Sequence, residues 1–395
     1  MALDDIRVVE LGQLLAGPFC GQLLADFGAD VIKVEPPGTG DPIRQWGQSK
    51  AGGKSLWWPV LGRNKRTITC NLRVPEGQAL VRELPRGADV LVENFRVGTL
   101  ERWGLSPEEL WKINPRLIIT RVTGYGQDGP YSGRAGYGSI GEAMGGIRYT
   151  TGSPEAPPSR SGISLGDELA AVFAMIGTLV ALHDRERTGH GQIVDSAIYE
   201  SVFAMMESLI PEWQVTGYTR ERTGPTLPGV APSNVYPTRH GNMVLIAANQ
   251  DTVFGRLCEA MGREELAVDE RFVDHGARGE HMEVLDSLIA AWTATHESDA
   301  LLEKLHAAGI PAGLIYTAKD MLADPHFAAR EAIITIADKH LGEIKMQNTF
   351  PKLSASPGRV RHTGHDLGQD NSAVYGDILN LSPEQISALS QSGII

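Results

Sequence analysis

Short apolar runs separated by helix-period segments organise the first two hundred residues. Residues 7–11 (RVVEL) read as a buried strand, followed by glycines at 12, 17 and 21 and a helix that closes near Phe27 and Gly28. Residues 30–35 (DVIKVE) form a second strand pattern and residues 66–72 alternate like a third, after which Pro75 suits the first position of a helix. Residues 89–93 (DVLVE) and 117–121 (LIITR) add a fourth and a fifth, with a capped helix start at Ser106 between them. Strands alternating with helices predict an α/β fold, Rossmann-like, with a mostly parallel sheet covered on its faces.

Beyond that point the pattern changes. Residues 124–162 are rich in glycine, proline, serine and tyrosine and read as loop, a plausible wall for a site. A helix follows, with Leu169, Phe173, Ile176 and Val180 on one side. A turn at 188–191 leads through residues 192–195 into a helix that reaches Met206. The expected organisation is a large domain over 1–210, a linker over 211–234, a small α+β domain over 235–328, and a return of the chain to the large domain over 329–395. The small domain shows strand patterns at 243–248 and 310–315 and helices near 252–261, 282–295 and 298–308.

Composition narrows the function classes. Charged residues make up 21% of the 395 and hydrophobic ones 42%, ordinary for a globular protein. No apolar run is expected to reach membrane length, and the N-terminal residues have no signal-like core, so a cytoplasmic protein without membrane contact is expected. Three scattered cysteines suit a reducing compartment and show no zinc spacing. A net charge of −12 without a basic run argues against nucleic acid. The local exceptions are Arg63, Lys65 and Arg66, and the pair Arg96 and Arg102, which could hold an anion.

Three chemistries compete. Glycines between the first strand and helix suggest dinucleotide binding, but the GxGxxG spacing is missing and a tight turn explains Gly12 and Gly17. Gly162-Ile-Ser164-Leu-Gly166 matches the GxSxG pentapeptide of serine hydrolases, with Ser164 as nucleophile, yet the proline-rich residues before it cannot form the strand that a nucleophile elbow requires. The third candidate is Asp167, behind a glycine at a helix start. Aspartate there is commonly a cap or first-turn anion. It could also attack a thioester, because a carboxylate of ordinary pKa, about 3.9, needs no base at neutral pH. Such a nucleophile needs positioning and donors for the developing oxyanion.

The order of motifs resembles the family III CoA-transferases, the CaiB/BaiF family. LAGP at 15–18 with LADFGADVIKVE at 24–35, Gly40-Asp41, Asn64-Lys65-Arg66, VENF at 92–95, GYGQDGP at 124–130, GHGQ at 189–192 and Gly309-Ile-Pro311 all fit. The resemblance implies that Asp167 is the acyl-accepting aspartate, carrying covalent intermediates. It implies Asn94 and Phe95 near the pantetheine and thioester, Arg102 near the phosphates, Lys65 and Arg66 in the basic stretch, and Tyr137 in the site loop. It also implies acyl-CoA and a free carboxylic acid as substrates, no cofactor or metal, and an interlocked, ring-like homodimer. Tyr137 stands where the α-methylacyl-CoA racemases of the family have a histidine, and phenols are poor two-way proton shuttles at neutral pH. Leu14-Leu15 replaces the glutamine region of formyl-CoA transferases, and Ala247-Ala-Asn-Gln250 replaces their glycine run. The expected activity is therefore CoA transfer from succinyl-CoA or another acyl-CoA to a carboxylic acid, with racemase or hydrolase chemistry as the alternatives.

Overall fold

Six strands make one parallel sheet: β1 (Arg7–Glu10), β2 (Asp30–Glu35), β3 (Lys65–Thr69), β4 (Val90–Glu93), β5 (Ile118–Thr123) and β6 (Ile193–Ala197). Their spatial order is β3-β2-β1-β4-β5-β6, all neighbours parallel. Chain direction across the sheet therefore reverses between β1 and β4, and ligands of such sheets bind outside the carboxyl ends of the strands at this switch point. The computed structural model describes all 395 residues.

Alternation along each strand places successive side chains in different cores. Val8, Val31, Val90 and Ile118 pack against helix α1 (Ala16–Asp26) and helix α3 (Leu165–Thr188), while Val9, Ile32, Leu91 and Ile119 pack on the other face with Val81, Leu110 and the C-terminal Val374 and Tyr375. Both faces are covered, so these strands read as continuous apolar runs. Each fully buried Val, Leu or Ile contributes about 1.5–3 kcal/mol.

The chain divides into two compact units, Met1–Ile147 with Ser161–Glu207 and His326–Ile395, and Arg148–Arg160 with Ser208–Pro325. The second unit has a three-stranded antiparallel sheet of β7 (Ser233–Pro237), β8 (Met243–Ala247) and β9 (Ala312–Leu314), with β8 central. Helices Asp251–Met261, Met282–Thr293 and Ser298–Ala307 complete it around Phe254, Leu257, Leu285 and Leu301. This unit takes in residues 148–160 and begins at Ser208, and the stretch expected as a linker carries the helix Leu209–Thr216.

Three further differences from the sequence pattern bear on the site. The glycine-rich stretch read as loop contains helix α2 (Gly138–Met144), packed on α3 and on α4 (Ile198–Phe203). A Cβ at Gly145 would meet Val202 at 2.6 Å, and one at Gly141 would overlap Ile198, so the glycines that make the segment look irregular are what let it pack. Helix α3, at 24 residues with a mean hydropathy of 1.8 over its most apolar window, is long and apolar enough to cross a bilayer, which corrects the expectation that no run reaches that length. Its inner face is built of small residues, Ala170, Ala171, Ala174 and Thr178, that pack against α1 and the sheet. Of the apolar residues that the sequence pattern puts on one side, Ile176 and Val180 are 47% and 63% exposed, so that side is not the most buried one.

Candidate active site

The loop between β1 and α1 is held from beneath by groups that came from distant parts of the chain. The Asn94 side chain clamps Gln13, accepting from its N–H at 2.8 Å and donating to its carbonyl at 2.8 Å. Leu14 has φ +64°, a left-handed conformation that a leucine adopts only under constraint, and its N–H donates to the Asp41 carboxylate at 3.1 Å. Lys33 donates to the Gly12 carbonyl at 2.9 Å while pairing with Asp41 at 2.8 Å and Glu10 at 2.9 Å. Burial pushes the Asp41 carboxyl up, but the Lys33 charge and the bonds from Lys33, Ile43 and Leu14 outweigh it and hold the group below the ordinary carboxylate range. Gly12 and Gly17 approach so closely that a Cβ at Gly12 would lie 3.1 Å from the Gly17 Cα.

This loop forms one wall of a cavity of about 390 Å³ at the sheet's switch point. Gln13, Leu14 and Leu15 follow β1, Asn94 to Val97 follow β4, and Thr123 ends β5 with Gly124 just after it. The third wall is the segment from Ser132 to Tyr137, and Asp167 completes the lining. The 132–137 segment is fixed where Gly124 and Gly136 touch, since a Cβ on either would lie 2.7–2.8 Å from the other's Cα.

Asp167 lies in the first turn of α3, and its carboxylate is seated directly over Gly138. A Cβ at Gly138 would come within 2.7 Å of the Asp167 Cγ and overlap Oδ2. Behind it, the Gly166 N–H donates to the buried Glu142 at 3.2 Å, tying the start of α3 to α2. The carboxylate lies against Gly138 on the wall of a cavity whose lining contains no other acidic side chain. Ser164 lies just ahead of α3 and the residues before it, 151–163, form no strand, so the elbow geometry of a GxSxG hydrolase is missing.

Of the other residues singled out in the sequence, the fold brings Asn94, Phe95 and Tyr137 to the cavity with Asp167. Phe95 packs edge-on to Trp103 at 5.1 Å, and its N–H donates to Glu93 at 2.7 Å. Tyr137 is 65% exposed. The fold does not bring Lys65, Arg66 or Arg102 there. The Lys65 ammonium is fully buried between Glu10, at 2.8 Å, and the Pro18 carbonyl, which leaves no face for a ligand phosphate. Arg66 pairs with Asp30 at 2.5 Å away from the cavity. Arg102 is exposed and donates to Thr99 at 2.8 Å. The cations that do line the cavity are Arg96 and Arg134. Arg96 was visible only as half of a local charge pair, and Arg134 only as part of the segment before Tyr137.

A family model described as CoA-transferase family III matches residues 3–371. The chain belongs to the family III CoA-transferases. It is 60% identical over 393 residues to succinyl-CoA–D-citramalate CoA-transferase of Chloroflexus aurantiacus, covering 100% of this chain and 98% of the relative. It is 41% identical over 398 residues to the beta subunit of succinyl-CoA–L-malate CoA-transferase from the same organism, with 100% and 98% covered. Among solved structures, a CaiB/BaiF family protein from Brucella suis superposes with a TM-score of 0.83 at 36% identity, over 95% of this chain and 98% of that one. The α/β architecture of this family III CoA-transferase is that of its structural neighbours, and its activity is that of a CoA-transferase.

Proposed function

We propose that this transferase moves CoA from succinyl-CoA to a hydroxylated dicarboxylic acid, through covalent intermediates on Asp167. The observation that carries the mechanism is the Asp167 carboxylate seated over Gly138 on the cavity wall. The substrate class is supported by the two relatives above, named for succinyl-CoA with citramalate and with malate, both hydroxylated dicarboxylic acids.

A carboxylate oxygen of Asp167 attacks the succinyl thioester carbon; the C–O bond forms, the C–S bond breaks, and CoA thiolate leaves an aspartyl–succinyl anhydride. The thiolate attacks the aspartyl carbonyl, giving an aspartyl–CoA thioester and free succinate. The acceptor carboxylate then displaces thiolate from that thioester to form a second anhydride. Attack of the thiolate on the acceptor's acyl carbon yields the new acyl-CoA and regenerates Asp167. Positioning dominates such a sequence, because the nucleophile is ionised already and each step needs only correct approach.

Asp167→Ala is expected to abolish exchange, measured as new CoA esters by mass spectrometry, with the circular dichroism of the fold unchanged. A variant that kept a tenth of wild-type turnover would remove Asp167 from the mechanism. The functional molecule is a homodimer in this proposal. Its support is the stripe Val172, Ile176 and Val180 on the outward face of α3, beside an apolar groove lined by Phe19, Leu56, Met175 and Phe350.

A further inference from the structure

We infer that Arg134 reads the distal carboxylate of a dicarboxylic substrate, making it the residue that separates dicarboxylic from monocarboxylic acyl groups. The inference rests on the CoA-transfer reading and names the group that would give that site its substrate class. The cavity holds two cationic side chains, Arg96 and Arg134, against one carboxylate, Asp167, so its wall is locally positive in a chain of net charge −12. Neither arginine pairs with a protein carboxylate. Arg7, Arg44, Arg63, Arg66 and Arg121 of the same unit do; Arg102 and Arg361 bond to a hydroxyl and to backbone carbonyls instead, and what sets Arg96 and Arg134 apart is that they face the cavity. A guanidinium left without its usual partner beside a cavity offers a fork that matches a carboxylate in two parallel hydrogen bonds.

Arg134 is also held in place. Its guanidinium lies over the Tyr131 ring at 3.6 Å, its backbone N–H donates to the Tyr131 carbonyl at 2.8 Å, and Tyr131 meets Tyr125 edge-on at 6.0 Å. The Gly124–Gly136 contact fixes the chain immediately after it. Stacking leaves the edge N–H groups of the guanidinium available while restricting its rotamers, so less freedom is lost on binding.

Chain connectivity limits the separation that the substrate must bridge. Arg134 and Gly138, on which the Asp167 carboxylate rests, are four residues apart and so at most about 14 Å apart between Cα atoms. An arginine side chain and a four- or five-carbon dicarboxylate together span a distance of that order. One end of the substrate meets Asp167 and reacts; the other end meets Arg134 and does not. Leu14 and Leu15, facing the same cavity, suit the methylene carbons between them.

The test compares succinyl-CoA with butyryl-CoA as donors, and dicarboxylic with monocarboxylic acids of equal length as acceptors. Wild type, Arg134→Gln, Arg134→Lys and Arg96→Gln are assayed for kcat and KM. Arg134→Gln is expected to lower the kcat/KM ratio of succinyl-CoA over butyryl-CoA by about tenfold to a hundredfold, mainly through KM, with Arg134→Lys in between. Arg96→Gln should leave that ratio within about twofold of wild type. An equal fall for both donors would mean that Arg134 supports CoA or the fold, and would overturn the assignment. An unchanged ratio would overturn it as well. A wild-type protein that exchanges CoA without preferring dicarboxylates would overturn the substrate class itself, a result distinguishable from the other two because it appears before any substitution is made.

Discussion

Gly138 has no side chain, and Asp167 occupies the room that one would take. Substitution by alanine would press a methyl group against the carboxylate, which must turn away or lift the start of α3. Misplacing a reacting group by about 1 Å can lower a rate by about a hundredfold. Gly138→Ala is therefore expected to reduce kcat by about that factor while leaving the KM for acyl-CoA within a few-fold, as steady-state kinetics would show; wild-type kcat in that variant would mean the carboxylate reacts from another position. The thiols lie at the opposite extreme of reactivity. Burial pushes Cys20 up to about 12 and Cys70 up to about 11, so the native protein should hold them as inert core side chains.

The β1–α1 loop shows how an element can be fixed by charges that never reach the cavity. Glu10, Lys33, Asp41 and Lys65 are buried together beneath it. Removing one partner of such a buried pair typically costs about 3–5 kcal/mol, because the other charge is left uncompensated. Asp41→Ala should lower the melting temperature sharply, whereas Asp41→Asn, which keeps an acceptor for the Leu14 N–H, should do less damage, as differential scanning calorimetry would resolve. The acid dependence has a definite sign. Asp41 titrates below its unfolded value of 3.8, so its contribution is complete above that pH and disappears as pH falls through the lower folded value. The sheet strands were legible because residues buried on both faces leave unbroken apolar runs. Helix α2 was not, since its glycines serve contacts with Ile198 and Val202 that only the folded chain creates. The same limit explains the basic stretch: Arg63, Lys65 and Arg66 look like an anion site in sequence, yet each finds its own carboxylate in Asp26, Glu10 and Asp30. Arg134 stands in the sequence only within the segment Arg134-Ala-Gly-Tyr137, whose resemblance leans toward dicarboxylate-type transferases, and its place on the cavity wall without a carboxylate partner is a property of three dimensions.

At the scale of the whole molecule, α3 joins two requirements. Its first turn carries Asp167, its inner face of small residues lets it lie close against α1, and its outer face presents Val172, Ile176 and Val180. If two copies cover that stripe, Ile176→Asp should shift the protein from dimer to monomer by light scattering and lower turnover, because the helix that holds the nucleophile would lose its support. A dimer that tolerated the charge would place the interface elsewhere. The clamp of Asn94 on Gln13, together with the Asp41 and Lys33 bonds to Leu14 and Gly12, separates two tasks within one loop: distant side chains hold its backbone, and Leu15 is one of the side chains it turns toward the cavity. Such a division makes acyl preference open to drift. A lineage, or an engineer, can exchange Leu15 for larger, smaller or polar residues and sample new acids while the frame around the reacting carboxylate stays where it was.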